Sequence, residues 1–138
     1  MIQGLDHIAV AVPSIDEAIR VWQNLTGAVL VHREHVAAQN THVAFLQIGD
    51  FRIELIAPDS PESTVGKFLD KRGPGLHHIA LKSDDGQNLL DEFTAHGARL
   101  INTSLRPGAE ETMVGFVHPA SLGGVLVEVV EHPKHRIS

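Results

Sequence analysis

Four polar residues set into apolar strands recur in matched order along the chain. His7 stands in Gly4-Leu5-Asp6-His7-Ile8-Ala9-Val10, and His78 in Gly75-Leu76-His77-His78-Ile79-Ala80-Leu81. Glu54 lies in Gly49-Asp50-Phe51-Arg52-Ile53-Glu54-Leu55-Ile56, and Glu128 in Gly123-Gly124-Val125-Leu126-Val127-Glu128-Val129-Val130. A duplicated unit that repeats polar residues inside strands repeats a site. Two imidazoles and two carboxylates suit a divalent transition ion bound at about 2.0–2.2 Å, so His7, Glu54, His78 and Glu128 are the candidate metal ligands. An inward glutamate is costly or neutralised unless a cation lies beside it. His77 points away from His78 and matches Asp6 in the first copy, so the repeat selects His78. His42, whose counterpart is Met113, is a weaker candidate. His118, just before the final hairpin, is placed to line a mouth, and His32, His35, His96, His132 and His135 read as surface or loop residues.

The elements that must position these groups follow from periodicity. Over residues 5–12, Ile8, Val10 and Val12 share one face and His7 and Ala9 the other, which is strand alternation. Pro13 ends it, Ser14 and Glu17 form a capping box, and Ile15, Ala18, Ile19, Trp22 and Leu25 make the apolar stripe of a helix stopped by Gly27. Strands are predicted at 28–33, 41–48 and 51–57, the last two joined at Gly49-Asp50. A linker at 58–62 leads into a short helix in which Val65, Phe68 and Leu69 face inward. The second copy predicts a strand at 78–81, a helix with Leu89, Leu90 and Phe93 inward ending at Gly97, and strands at 99–102, 112–118 and 124–131. Loops at 34–40 and 105–111 oppose each other, and the tail after Pro133 is expected to fray. The fold class is α+β: tandem βαβββ modules, 4–57 and 75–132 with a linker helix over 60–73, forming a shared eight-stranded cavity in one domain over 1–138.

With 138 residues, 43% of them apolar, and a formal charge of -6, the chain fits one compact domain and is a poor match for a nonspecific nucleic-acid binder. Cysteine is absent, which removes disulfides, thiolate metal sites and a cysteine nucleophile. The first strand begins too early for a signal peptide, and no apolar run approaches the ~20 residues of a membrane span; a cytoplasmic chain starting at Met1, with no nucleic-acid or membrane partner, is expected. Phosphate-loop, dinucleotide, nucleophile-elbow and His-Glu-x-x-His motifs are missing.

Leu5-Asp6-His7-Ile8-Ala9-Val10-Ala11-Val12, the central Gly75-Leu76-His77-His78-Ile79-Ala80, and Val117-His118-Pro119-Ala120-Ser121-Leu122-Gly123-Gly124-Val125-Leu126-Val127-Glu128 resemble the vicinal-oxygen-chelate (glyoxalase-like) superfamily. Ile53-Glu54-Leu55-Ile56-Ala57-Pro58 and Ser63-Thr64-Val65-Gly66-Lys67-Phe68-Leu69 are similar to its methylmalonyl-CoA epimerase branch. The resemblance implies that His7, Glu54, His78 and Glu128 hold cobalt, or nickel, manganese or zinc. It also implies a homodimer that interconverts (R)- and (S)-methylmalonyl-CoA by removal and return of the C2 proton through a metal-stabilised enolate. It makes Glu128 the first acid/base candidate, with Glu54, a bound water or another residue as the second, because Val43 stands where some epimerases carry glutamate. Glu110-Glu111 likewise replaces a His-Gly common in related sequences. For the coenzyme A thioester substrate the available contacts are Lys67, Lys71, Arg72 and Arg106 near phosphates, and His118 and Ser121 near the acyl end. The alternatives are a glyoxalase-I-like isomerase of a thiol adduct of a 2-oxoaldehyde, a ring-cleaving oxygenase, and a non-catalytic small-molecule-binding member.

Overall fold

The structure is a computed structural model that describes residues 1–134; residues 135–138, with His135 and most of the tail expected to fray, lie outside it. Its main elements are β1 (Ile2–Ala11), α1 (Ile15–Thr26), β2 (Val29–Val36), β3 (Thr41–Ile48), β4 (Phe51–Pro58), α2 (Thr64–Arg72), β5 (Gly75–Ser83), α3 (Gly86–Ala95), β6 (Arg106–Pro107), β7 (Met113–Val117) and β8 (Val127–Glu131). The hydrogen-bonded strand order is β2-β3-β4-β1-β5-β8-β7-β6. Two compact units emerge: one is His7–His77, the other is Met1–Asp6 with the chain from His78 onward, and β1 and β5 give residues to both.

In the unit His7–His77, β1 runs parallel to β4, with Ala9 beside Glu54, while β3 pairs antiparallel with both β4 and β2. Period-two alternation sends Ile8, Val10, Ala44, Leu46, Ile53, Leu55 and Ala57 to the face covered by Ile15, Ile19 and Trp22 of α1. The Ser14 hydroxyl accepts the Glu17 N–H at 3.4 Å, and Gly27 closes α1 in the left-handed region at φ 71°, as the sequence predicts. Two differences appear in β2. The strand continues past Arg33 to Val36, absorbing the start of the predicted loop, and a bulge falls between Leu30, paired with Leu46, and His32, paired with Phe45. The extra residue, Val31, turns Arg33 toward α1, where its guanidinium meets Asp16 at 2.6 Å and holds that carboxyl below its usual range, chiefly through the hydrogen bond.

In the other unit β5 runs parallel to β8, with Ala80 beside Glu128, and β7 pairs antiparallel with β8 and with the short β6. Leu89 and Leu90 of α3, with Phe93, pack on Val117, Val127 and Val129. The strand predicted at 99–102 is reduced to a single bridge, Leu100 to Val117. Asn102 explains why: its side-chain oxygen accepts the Phe116 N–H at 2.9 Å, taking a ladder bond that a continuing strand would have made. The edge resumes at Arg106–Pro107, and proline is tolerated there because an edge strand has one unpaired side.

Candidate functional site

The alternation that fills each core puts polar groups on the opposite face. On β4, Arg52, Glu54 and Ile56 face away from α1. Glu54 pairs across to Phe45, whose ring meets the His7 imidazole edge-on at 5.2 Å and 83°. His7 Nε2 stands 3.2 Å from Glu54 Oε1, and the two residues are 3% and 7% exposed.

The second unit repeats this arrangement part by part. Glu128 pairs across to Phe116, whose ring meets His78 edge-on at 5.2 Å and 88°. His78 Nε2 stands 3.4 Å from Glu128 Oε1, with exposures of 6% for both residues. Each half therefore buries one imidazole and one carboxylate side by side, held by one phenylalanine ring.

Those separations suit a shared cation better than a direct hydrogen bond. An imidazole–carboxylate bond prefers a shorter contact, about 2.7–2.9 Å when charge-assisted. Two ligands each about 2.1 Å from one ion, at an angle of roughly 100–110°, stand as far apart as these pairs do. The donor types agree: neutral imidazole with carboxylate suits zinc, cobalt, nickel or manganese.

The structure adds groups that sequence patterning misses. Because of the Val31 bulge, His32 and Glu34 pair with Phe45 and Val43 and so share the face of His7 and Glu54. Glu34 is half-buried and bonded to His32 Nε2 at 2.6 Å. Without the bulge, Val31 and Arg33 would take those places, and no local signal in the sequence marks it. Arg52 reaches over the Phe45 ring at 4.1 Å and brings positive charge to this face; its alternation with Glu54 is legible in the sequence, although its stacking is not.

The residues expected to contact coenzyme A are spread over both units. Lys67, Lys71 and Arg72 lie on the exposed side of α2, with Arg72 over the Phe68 ring at 5.8 Å. Arg106 on β6 pairs with Val114, which puts it on the Glu128 face. His118 and Ser121 are engaged locally. The His118 Nδ1 accepts the Ala120 N–H at 3.0 Å, and the Ser121 hydroxyl accepts the Arg99 N–H at 2.8 Å.

Residues 6–116 match the Glyoxalase/Bleomycin resistance protein/Dioxygenase superfamily. The chain is 32% identical over 128 residues to the mitochondrial methylmalonyl-CoA epimerase of Dictyostelium discoideum, covering 92% of this chain and 77% of that one. It is similar to the crystal structure of methylmalonyl-CoA epimerase from Mycobacterium tuberculosis, with a TM-score of 0.92 and 36% identity over 96% of this chain and 90% of that one. A methylmalonyl-CoA epimerase solved in complex with methylmalonyl-CoA and NH4+ superposes with a TM-score of 0.92 at 29% identity, over 96% of each chain. By its matched residues, its duplicated strands and its paired histidines and glutamates, the chain belongs to the glyoxalase/bleomycin resistance protein/dioxygenase superfamily.

Proposed function

We propose that this protein is a metal-dependent epimerase that interconverts (R)- and (S)-methylmalonyl-CoA. The observation that carries the reading is the twofold repetition of a buried histidine–glutamate pair against a phenylalanine ring. In this reading the modules 4–57 and 75–132 build one domain, and His7, Glu54, His78 and Glu128 hold a single divalent ion, cobalt in the first place. The similarity to epimerases, one of them solved with methylmalonyl-CoA, supports the substrate.

The reacting carbon, C2, lies between a thioester carbonyl and a carboxylate. A divalent ion bound there supplies Lewis-acid stabilisation of the charge that develops on those oxygens. The side chains must then move the proton. Glu128 is the group assigned to one face of C2. Inversion needs a second group at the other face, and Val43 cannot serve. Glu54 is one choice, but with Glu128 already assigned both as a ligand and as an acid/base, drawing a second ligand into proton transfer would leave only the two histidines to hold the ion. Glu34 is the better assignment: it shares the Glu54 face, stands directly across from Val43, and keeps a hydrogen bond to His32 that can orient or share a proton.

Arg106, expected from the sequence near the phosphates, is instead assigned with Arg52 to the anionic acyl end, because the two lie on the faces of Glu128 and Glu54, while Lys67, Lys71 and Arg72 stay assigned to the coenzyme A phosphates. His118 and Ser121 keep a secondary role there, through turn geometry. A homodimer is part of the proposal, supported by exposed Leu5 and Leu76, which hold matching places in the two copies. A cytoplasmic setting is also proposed; among the described residues no helix is long and apolar enough to cross a membrane.

The deciding experiment incubates purified protein with methylmalonyl-CoA in deuterium oxide and follows the C2 hydrogen by NMR. Exchange that stops on chelation and returns with cobalt is the expected result. Turnover of a hemithioacetal with no C2 exchange would replace the reading with the glyoxalase-like one.

A further inference from the structure

The sheet face opposite His7 and Glu54 carries a second group of metal-ligating side chains. His35 on β2 and His42 on β3 are direct cross-strand partners, so their imidazoles stand side by side, with ring centroids 4.7 Å apart. Asp59, the residue after β4, closes the group: its Oδ2 lies 2.7 Å from His35 Nε2 and its Oδ1 2.9 Å from His42 Nε2. One donor atom from each residue falls within 4.8 Å of the others. The backbone secures the carboxylate's position, because the Asp59 N–H donates to the Asn40 carbonyl at 3.0 Å across the turn that follows Ala37–Gln39.

Register shows that this group is separate from the buried pair. His42 pairs with Ala57, and Ala57 belongs to the α1-covered face, whereas Val43 and Glu54 face the other way. The imidazoles are about half exposed, so an ion can reach them without opening the fold.

We propose that His35, His42 and Asp59 form a second, surface site for a borderline divalent ion such as zinc, nickel or cobalt. The donor chemistry selects this class: two imidazoles disfavour calcium and magnesium, which take oxygen ligands. Each imidazole meets its own Asp59 oxygen at hydrogen-bond distance, 2.7 and 2.9 Å, so the three side chains are already gathered, and an ion would exchange those contacts for bonds of about 2.1 Å. Solvent lies on the remaining side, where water or a donor from another molecule completes the shell. The site is therefore open and exchangeable, unlike the buried one.

The test is isothermal titration of the metal-stripped full chain with zinc or nickel chloride, comparing wild type with His42→Ala and His35→Ala. Both substitutions lie at half-exposed strand positions, and circular dichroism checks that the fold is kept. The proposal expects each variant to bind one equivalent fewer than wild type. A parallel His7→Ala variant keeps this surface equivalent, so failure of the epimerase reading and failure of this one give different patterns. If His42→Ala and His35→Ala titrate as wild type does, the surface site does not exist.

Discussion

His7 Nε2 stands 3.2 Å from Glu54 Oε1 on adjacent parallel strands, and the same pairing recurs at 3.4 Å between His78 and Glu128. A chance contact would not carry the same phenylalanine partner and the same ring angle in both copies. Burying a carboxylate beside each imidazole favours a cation at the pair, because an uncompensated buried charge is costly.

If the pairs hold an ion, metal removal is expected to weaken the fold. Stripping the protein with a chelator is expected to lower the thermal midpoint by about 5–10 °C, the scale on which an ion at a hundred times its Kd stabilises a domain of this size. Adding back cobalt restores it. Scanning calorimetry that gives the same midpoint with and without ion would remove the buried pairs from metal binding.

Truncation of His78 to alanine removes one donor and leaves Glu128 beside an apolar gap. Affinity for the buried ion is expected to fall by more than about 100-fold, and C2 exchange should fall with it. Activity and ion content close to wild type in this variant would show that the second copy is vestigial.

Replacing Glu34 by glutamine keeps shape and removes the proton acceptor. The kcat for epimerisation is expected to drop by about 10²–10⁴ while the content of the buried ion stays at the wild-type level. A change within twofold would return the second proton to Glu54 or to water.

Gly66 separates helix propensity from packing. In an exposed helix, glycine to alanine gains about 1 kcal/mol; here a Cβ at residue 66 would sit 2.3 Å from the Ser60 carbonyl oxygen and 2.7 Å from that of Pro61. Gly66→Ala is expected to destabilise the protein by about 1–3 kcal/mol, read by urea denaturation. A gain in stability would mean that the turn before α2 gives way at little cost.

Ser63 fixes the start of the same helix. Its hydroxyl accepts the Gly66 N–H at 3.1 Å and donates to the Ser60 carbonyl at 2.8 Å. Ser63→Ala is expected to cost about 0.5–2 kcal/mol, and in this reading it raises the KM for the thioester because α2 carries Lys67, Lys71 and Arg72. An unchanged KM in a destabilised variant would place the phosphates elsewhere.

What the sequence alone determined is local or repeated. Strand alternation assigned Glu54 and Glu128 to the faces away from the cores, because side chains in a strand switch sides at every residue whatever lies beyond. Duplication selected His78 over His77, and the caps at Ser14 and Gly27 were legible because they involve residues within one turn. Tertiary structure alone decided whatever depends on pairing partners far along the chain. The bulge at Val31 turns Glu34 toward Val43, the Asn102 side chain ends a predicted strand in favour of Arg106–Pro107, and register brings His35, His42 and Asp59 together. A register is set by the whole ladder and the core it buries, so a one-residue slip leaves composition and periodicity almost unchanged while reversing every side chain beyond it.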